Sequence, residues 1–242
     1  MTGTLINIVT VLIGSSIGQV SGPRLPERIR EIVVAGLGLF TMAVGVSMFI
    51  ESMGVEGENP LIPLVSLLVG GILGEWWRIE GRLRSLGASL EARFAGSSRE
   101  TDTENRFIRG FLSASLLFCV GPMTILGAIQ DGLVGDYQLL AIKSVLDGFA
   151  AMALASTLGV GVMFSVLVIL VYQGGISLLA VQAQAFFSEV MLAEMTAVGG
   201  VLLLGLAIGV LLELRPIRAG NLLPALLVAP LLVALLNMLG LG

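Results

Sequence analysis

Apolar residues run through this chain in long uninterrupted blocks of roughly 17 to 25, the length at which an α-helix crosses a hydrocarbon layer of ~30 Å. Such blocks fall at about 3 to 20, 32 to 51, 61 to 77, 107 to 131, 138 to 157, 161 to 182, 195 to 213 and 222 to 239. The pattern predicts an all-α membrane protein of about eight transmembrane helices, a single polytopic domain over residues 1–242 with no soluble domain between spans. The first block follows MTG without a basic region or a small-residue cleavage pattern, so it reads as a retained span.

The polar stretches between the blocks alternate in charge. Arg24, Arg28 and Arg30 follow the first span; Glu51, Glu56 and Glu58 follow the second; an arginine-rich segment follows the third. Asp131 and Asp136 come next, then an uncharged turn, Glu189, and finally Arg215 with Arg218. Every basic loop therefore falls on one side, which the positive-inside rule makes the cytoplasm, leaving both termini outside. Residues 78–106 form the one sizeable piece between spans. Ile79, Leu83, Leu86, Leu90 and Phe94 recur at helical spacing there and predict an interfacial helix, followed by a flexible polar connection over 97–106.

An internal repeat appears when residues 36–69 slide onto 200–233, where Gly36, Leu39, Ala43, Gly45, Val46, Pro60 and Leu67 to Val69 meet identical residues. The second and third spans then correspond to the seventh and eighth. That odd offset makes the two copies opposite in orientation, an inverted-topology repeat of the kind transporters use.

Composition narrows the chemistry. Hydrophobic residues make up 56% of the chain and charged residues 12%, and the mean hydropathy of +0.99 agrees with a membrane protein. There is no histidine, which removes the commonest transition-metal ligand and general base, and the one cysteine, Cys119, allows no internal disulfide. No catalytic residues, no metal site and no cofactor are expected, and no basic cluster points to nucleic acid.

Two segments carry candidate chemistry. The fourth span contains Gly121-Pro122; proline lacks the N–H that would bond the Phe118 carbonyl, so the helix is expected to kink or break at mid-depth. The fifth span contains Lys143, the only lysine of the chain, one helical turn before Asp147. The freed Phe118 carbonyl, the break at Gly121 and Pro122, the Ser115 and Thr124 hydroxyls, the Gln130 amide and the Asp147 carboxylate form a set of hard oxygen donors. They suit a small cation or small polar solute, with Lys143 holding Asp147 charged until a cation or proton competes. The alternative is that Lys143 and Asp147 form a buried latch that fixes helix packing. Asn7, Tyr172 and Gln173 read as bonds across helices, Gly70, Gly71, Gly74, Gly205 and Gly209 as close-packing positions, and Glu75 with Trp76 and Trp77 as an interfacial anchor belt.

GTLINIVTVLIGSSIG, GGILGEWWRIEGRL, FCVGPMTILGAIQDGL and KSVLDGFAAMALASTLGVGV together make the chain resemble the YqgA/YdfK-like family of uncharacterised bacterial integral membrane proteins. The resemblance implies a multi-pass protein of the bacterial inner membrane and supplies no substrate or activity. The reading from the residues is a secondary transporter or channel sited between the fourth and fifth spans, with the lipid bilayer and a small cation or solute as partners and room for a homo-oligomer. The competing reading is a membrane-embedded scaffold or regulatory protein without transport activity.

Overall fold

The computed structural model describes residues 1–24, 26–94, 101–119 and 122–239. It is helical, with no strand among the described residues. The helices are α1 (Thr2–Ser21), α2 (Glu27–Ser52), α3 (Leu61–Trp77), α4 (Ile79–Phe94), α5 (Thr101–Cys119), α6 (Pro122–Val134), α7 (Gln138–Leu158), α8 (Ser165–Leu178), α9 (Ala180–Phe186), α10 (Glu189–Leu206) and α11 (Ala225–Met238). Five stretches are long and apolar enough to cross a membrane: Thr2–Ser21, Glu31–Ser52, Gln138–Leu178, Glu189–Leu211 and Ala219–Met238. The count rises to seven if Leu61–Trp77 with Ile79–Ser85, bent by 50°, and Arg106–Cys119 with Met123–Val134, bent by 62°, are each one span. Two compact units share the chain, Met1–Gly38 with Leu83–Ala183, and Leu39–Arg82 with Gln184–Gly242.

The first unit is organised by one face of α1. Gly3, Thr4, Asn7, Val11, Gly14, Ser15 and Gly18 recur at helical spacing and are buried, while Leu5, Val9, Ile13 and Ile17 are exposed. Small and polar side chains thus face protein and large apolar ones face outward, as a bilayer solvent demands. A Cβ at Gly14, Gly18 or Gly22 would overlap the carbonyl oxygen of Gly148, Met152 or Ser156 respectively, so α1 lies directly on α7, and the rising numbers on both show that the two run parallel. The apolar stretch Gln138–Leu178 then doubles back on itself, because Asp147 and Gln173 both bond Asn7. The reversal begins at Gly159, whose φ of 79° and ψ of −155° suit glycine alone, and continues through a 3₁₀ segment to Phe164.

Phe107, Ile108, Phe111 and Leu112 of α5 make a core cluster with Val160, Phe164 and Val168, and Leu83 and Ala88 of α4 pack onto it. Protein therefore covers part of the α4 stripe that the sequence alone assigns to the membrane interface. Residues 101–106 lie in the first turns of α5. Residues 97–100 of the expected connection lie outside the described residues.

In the second unit α3 and α11 run antiparallel, with Ile62 against Val233, Gly70 against Ala225 and Gly74 against the Asn221 carbonyl. Each follows a proline N-cap, Pro60 with φ −60° and Pro224 with φ −58°. The second half of α2 meets α10 where Gly45 and Gly200 face each other's carbonyls. Trp76 and Trp77 at the end of α3 are exposed, as an anchor belt requires. Glu75 beside them does more than anchor, since it pairs with Arg218 and accepts a bond from Asn221 Nδ2 at 2.6 Å.

Candidate functional site

The 3.6-residue repeat of α7 puts Lys143 and Asp147 on one face, where they form an ion pair with side chains only 7% and 10% accessible. By helix rise, Asp147 lies ~14 Å along α7 from its start, within the membrane-spanning part. Asn7 of α1 donates from Nδ2 to Asp147 Oδ2 at 3.0 Å and to Gln173 Oε1 of α8 at 3.0 Å. Gln173 donates in turn from Nε2 to Thr4 Oγ1 at 3.2 Å. The polar chain thus runs Lys143, Asp147, Asn7, Gln173, Thr4 across three helices, every member buried.

The close approach of α1 to α7 is what lets so short a side chain as Asn7 reach Asp147. Both donors to the carboxylate fall on Oδ2, one charged and one neutral. The pair is neutral as a whole, and Asn7 Oδ1 is left buried without a hydrogen-bond partner. An acceptor in that position suits a cation, a proton donor or a water molecule.

The other expected site residues divide. Thr124 Oγ1, at the start of α6, donates to the Phe118 carbonyl at 3.0 Å. The carbonyl that proline leaves without its helix partner therefore accepts a hydrogen bond from protein. Ser115 is buried and its Oγ has no partner, so it remains an available oxygen. Gln130 is exposed on α6 and does not join the network, because the helix turn that buries Ile129 and Asp131 points position 130 the other way. Gly121 lies outside the described residues, and Pro122 is the first residue of α6. Cys119, the last residue of α5, is buried.

Asn7 and Gln173, read from the sequence as packing groups, turn out to be the direct and indirect partners of Asp147. For Asn7 a signal exists in the sequence, since it shares the helical face of Gly3, Gly14 and Gly18. Gln173 has no comparable signal, for its partner is set by the reversal at Gly159.

A family model described as "protein of unknown function (DUF554)" matches residues 2–234. The chain is similar to the uncharacterized membrane protein YdfK of Bacillus subtilis, 30% identical over 241 residues that cover 100% of this chain and 99% of that protein. It is also similar to the uncharacterized protein YqgA of Escherichia coli, 32% identical over 228 residues that cover 94% of each. No solved structure matches.

Proposed function

This chain belongs to the DUF554 family, whose description assigns no activity, and we propose that it is a secondary transporter or channel for a small cation or small polar solute bound at Asp147. One observation carries the reading: a charged pair inside the spans, tied to a polar chain from three helices, with Asn7 Oδ1 beside it left without a partner. Charge at membrane depth is costly, and a site that keeps it there while leaving an acceptor open is suited to exchange of ions. Ser115 of α5, buried with an unpartnered hydroxyl, is a candidate for a further ligand. The cargo displaces Lys143 from Asp147, or binds after a proton has done so. No catalytic role is assigned to the pair.

Eight spans and an inverted repeat belong to the same reading. The reversal at Gly159 makes two crossings of Gln138–Leu178, and the parallel run of α1 with α7 is what an eight-span order requires of the first and fifth crossings. The aligned prolines Pro60 and Pro224 both open helices, and those helices run antiparallel, in keeping with an inverted repeat. The arginine-bearing loops are then cytoplasmic and both termini lie outside a bacterial inner membrane. With Cys119 buried, single cysteines at Glu56 and Asp136 are expected to react with an impermeant thiol reagent on intact cells, and one at Arg82 only after permeabilisation. Labelling of Arg82→Cys on intact cells would reverse the orientation.

The binding role is tested on the purified protein. Monovalent and divalent cations are each tested at constant pH for a shift in melting temperature, and at least one is expected to raise it in the wild type but not in Asp147→Asn. A wild type indifferent to all of them would favour the second reading, a structural latch, which the protein-supplied donors at Asp147 Oδ2 also fit.

A further inference from the structure

A second buried acid lies in the other unit. Glu194, in the second turn of α10, is 0% exposed. Its Oε1 accepts the Asn59 backbone N–H at 2.9 Å, while its Oε2 is buried with no partner. Glu58 precedes Asn59, the residue whose amide bonds Glu194, in the loop before α3, and its Oε1 is likewise buried and without a partner. The sequence pattern places Glu194 at the margin of a span, one residue before position 195. In the structure α10 starts at Glu189 and takes Glu194 inside.

Among the described residues no opposite charge is shown bonded to Glu194. Of the elements packed against α10, α11 has no charged residue, and α3 has only Glu75, at its far end and paired with Arg218. Glu51 of α2 is exposed and accepts from Ser47, while Glu56 and Glu189 are exposed. Glu213 and Arg215 follow the other end of α10. Glu58, adjoining the Asn59 amide that bonds Glu194, is the remaining acid at this place. A fully buried side chain with an unpaired carboxylate oxygen, bonded to the backbone of Asn59 whose chain neighbour Glu58 carries a second such oxygen, favours a positive species or a proton at this place.

The oxygens present decide which species. Calcium takes about six to eight oxygen ligands and magnesium a near-octahedral set, whereas Glu194 Oε2 and Glu58 Oε1 are the two open carboxylate oxygens here. Two carboxyls that share a site hold one proton between them, since both cannot ionise together. The geometry points to Glu194 and Glu58 as a proton-binding carboxyl pair at the N-terminal end of α10. Ser66 adds a hydroxyl nearby in the fold: it is fully buried and unpaired, one turn beyond Ile62, which packs against Met191 of α10. Burial also pushes the Glu58 carboxyl above its ordinary range. The pair belongs to a different unit from Asp147 and binds its proton whatever role Asp147 has; in the transport reading it is where a driving proton is held.

Infrared difference spectra of the full-length protein in lipid nanodiscs test this, with pH stepped from about 5 to about 8 and choline in place of sodium. A protonated-carboxyl band is expected to persist well above the ordinary glutamate value of about 4.3. It should vanish in Glu194→Gln, titrate about one unit or more lower in Glu58→Gln, where the neighbouring like charge is gone, and stay unchanged in Asp147→Asn. The folded pair holds a proton that the unfolded chain releases, so wild-type melting temperature should fall as pH rises across this range, and Glu194→Gln should flatten that slope. Absence of the band in the wild type, or its survival in both glutamine variants, would overturn the proposal. So would a sodium-dependent rise in melting temperature at constant pH that Glu194→Gln removes, since the site would then hold a metal cation. Should Glu194→Gln fail to fold, the wild-type band and its displacement in Glu58→Gln decide the matter.

Discussion

Asp147→Leu is expected to lower stability by about 3 to 5 kcal/mol, the usual loss when one partner of a buried ion pair is removed and the other is stranded. Lys143 would keep its charge in a place where its side chain is 7% accessible, with Asn7 as the nearest polar neighbour of the lost carboxylate. The double change Lys143→Met with Asp147→Leu should recover most of that loss, because two apolar side chains of similar size need no counter-charge there. Melting curves of the wild type, the single variant and the double variant measure the coupling. A single variant as stable as the wild type would mean that Lys143 sheds its proton or reaches water, and that the pair contributes little. Rescue of stability without rescue of cation response is the outcome that assigns Asp147 a binding role; rescue in a protein whose wild type responds to no cation assigns it a latch.

The second large effect concerns α1. At Gly18 a Cβ would overlap the Met152 carbonyl oxygen, a backbone atom that cannot rotate aside, so Gly18→Ala forces α1 and α7 apart. Overpacking of a tight interior usually costs about 1 to 3 kcal/mol, and this contact should fall at or above the upper figure because the helices must separate as bodies. Separation also draws Asn7 away from Asp147, so the variant is expected to lose the ion response along with stability. Gly36→Ala is the matched control. A Cβ there meets nothing within 4 Å, and replacing a helical glycine by alanine should leave the protein unchanged or more stable by up to about 1 kcal/mol. Equal melting temperatures for Gly18→Ala and wild type would remove the close crossing as a determinant of the site.

Much of the architecture was legible in the residues themselves. Apolar block length and residue spacing are local quantities, and they identified a helical membrane protein and the charged pair at one turn's spacing. Lys143 and Asp147 meet as their spacing requires, since an i, i+4 pair on a helix needs no tertiary information. The Gly70 and Gly74 contacts with α11 followed from the small-residue rule.

What the tertiary structure decided is which polar groups share a place. Asn7 and Gln173 lie 166 residues apart, and only the parallel docking of α1 on α7 and the reversal at Gly159 bring them to one carboxylate. The fate of the Phe118 carbonyl turned on the position of one hydroxyl across a break, and Gln130 was removed from the site by the rotation of α6. Glu194 became a buried acid because α10 begins six residues before the apolar block does. Along a chain, hydrophobicity and spacing report how each helix meets the bilayer. In a bilayer large apolar side chains are as content against lipid as against protein, so they say little about which helices adjoin, and the meeting of buried polar groups is settled by helix order and rotation alone.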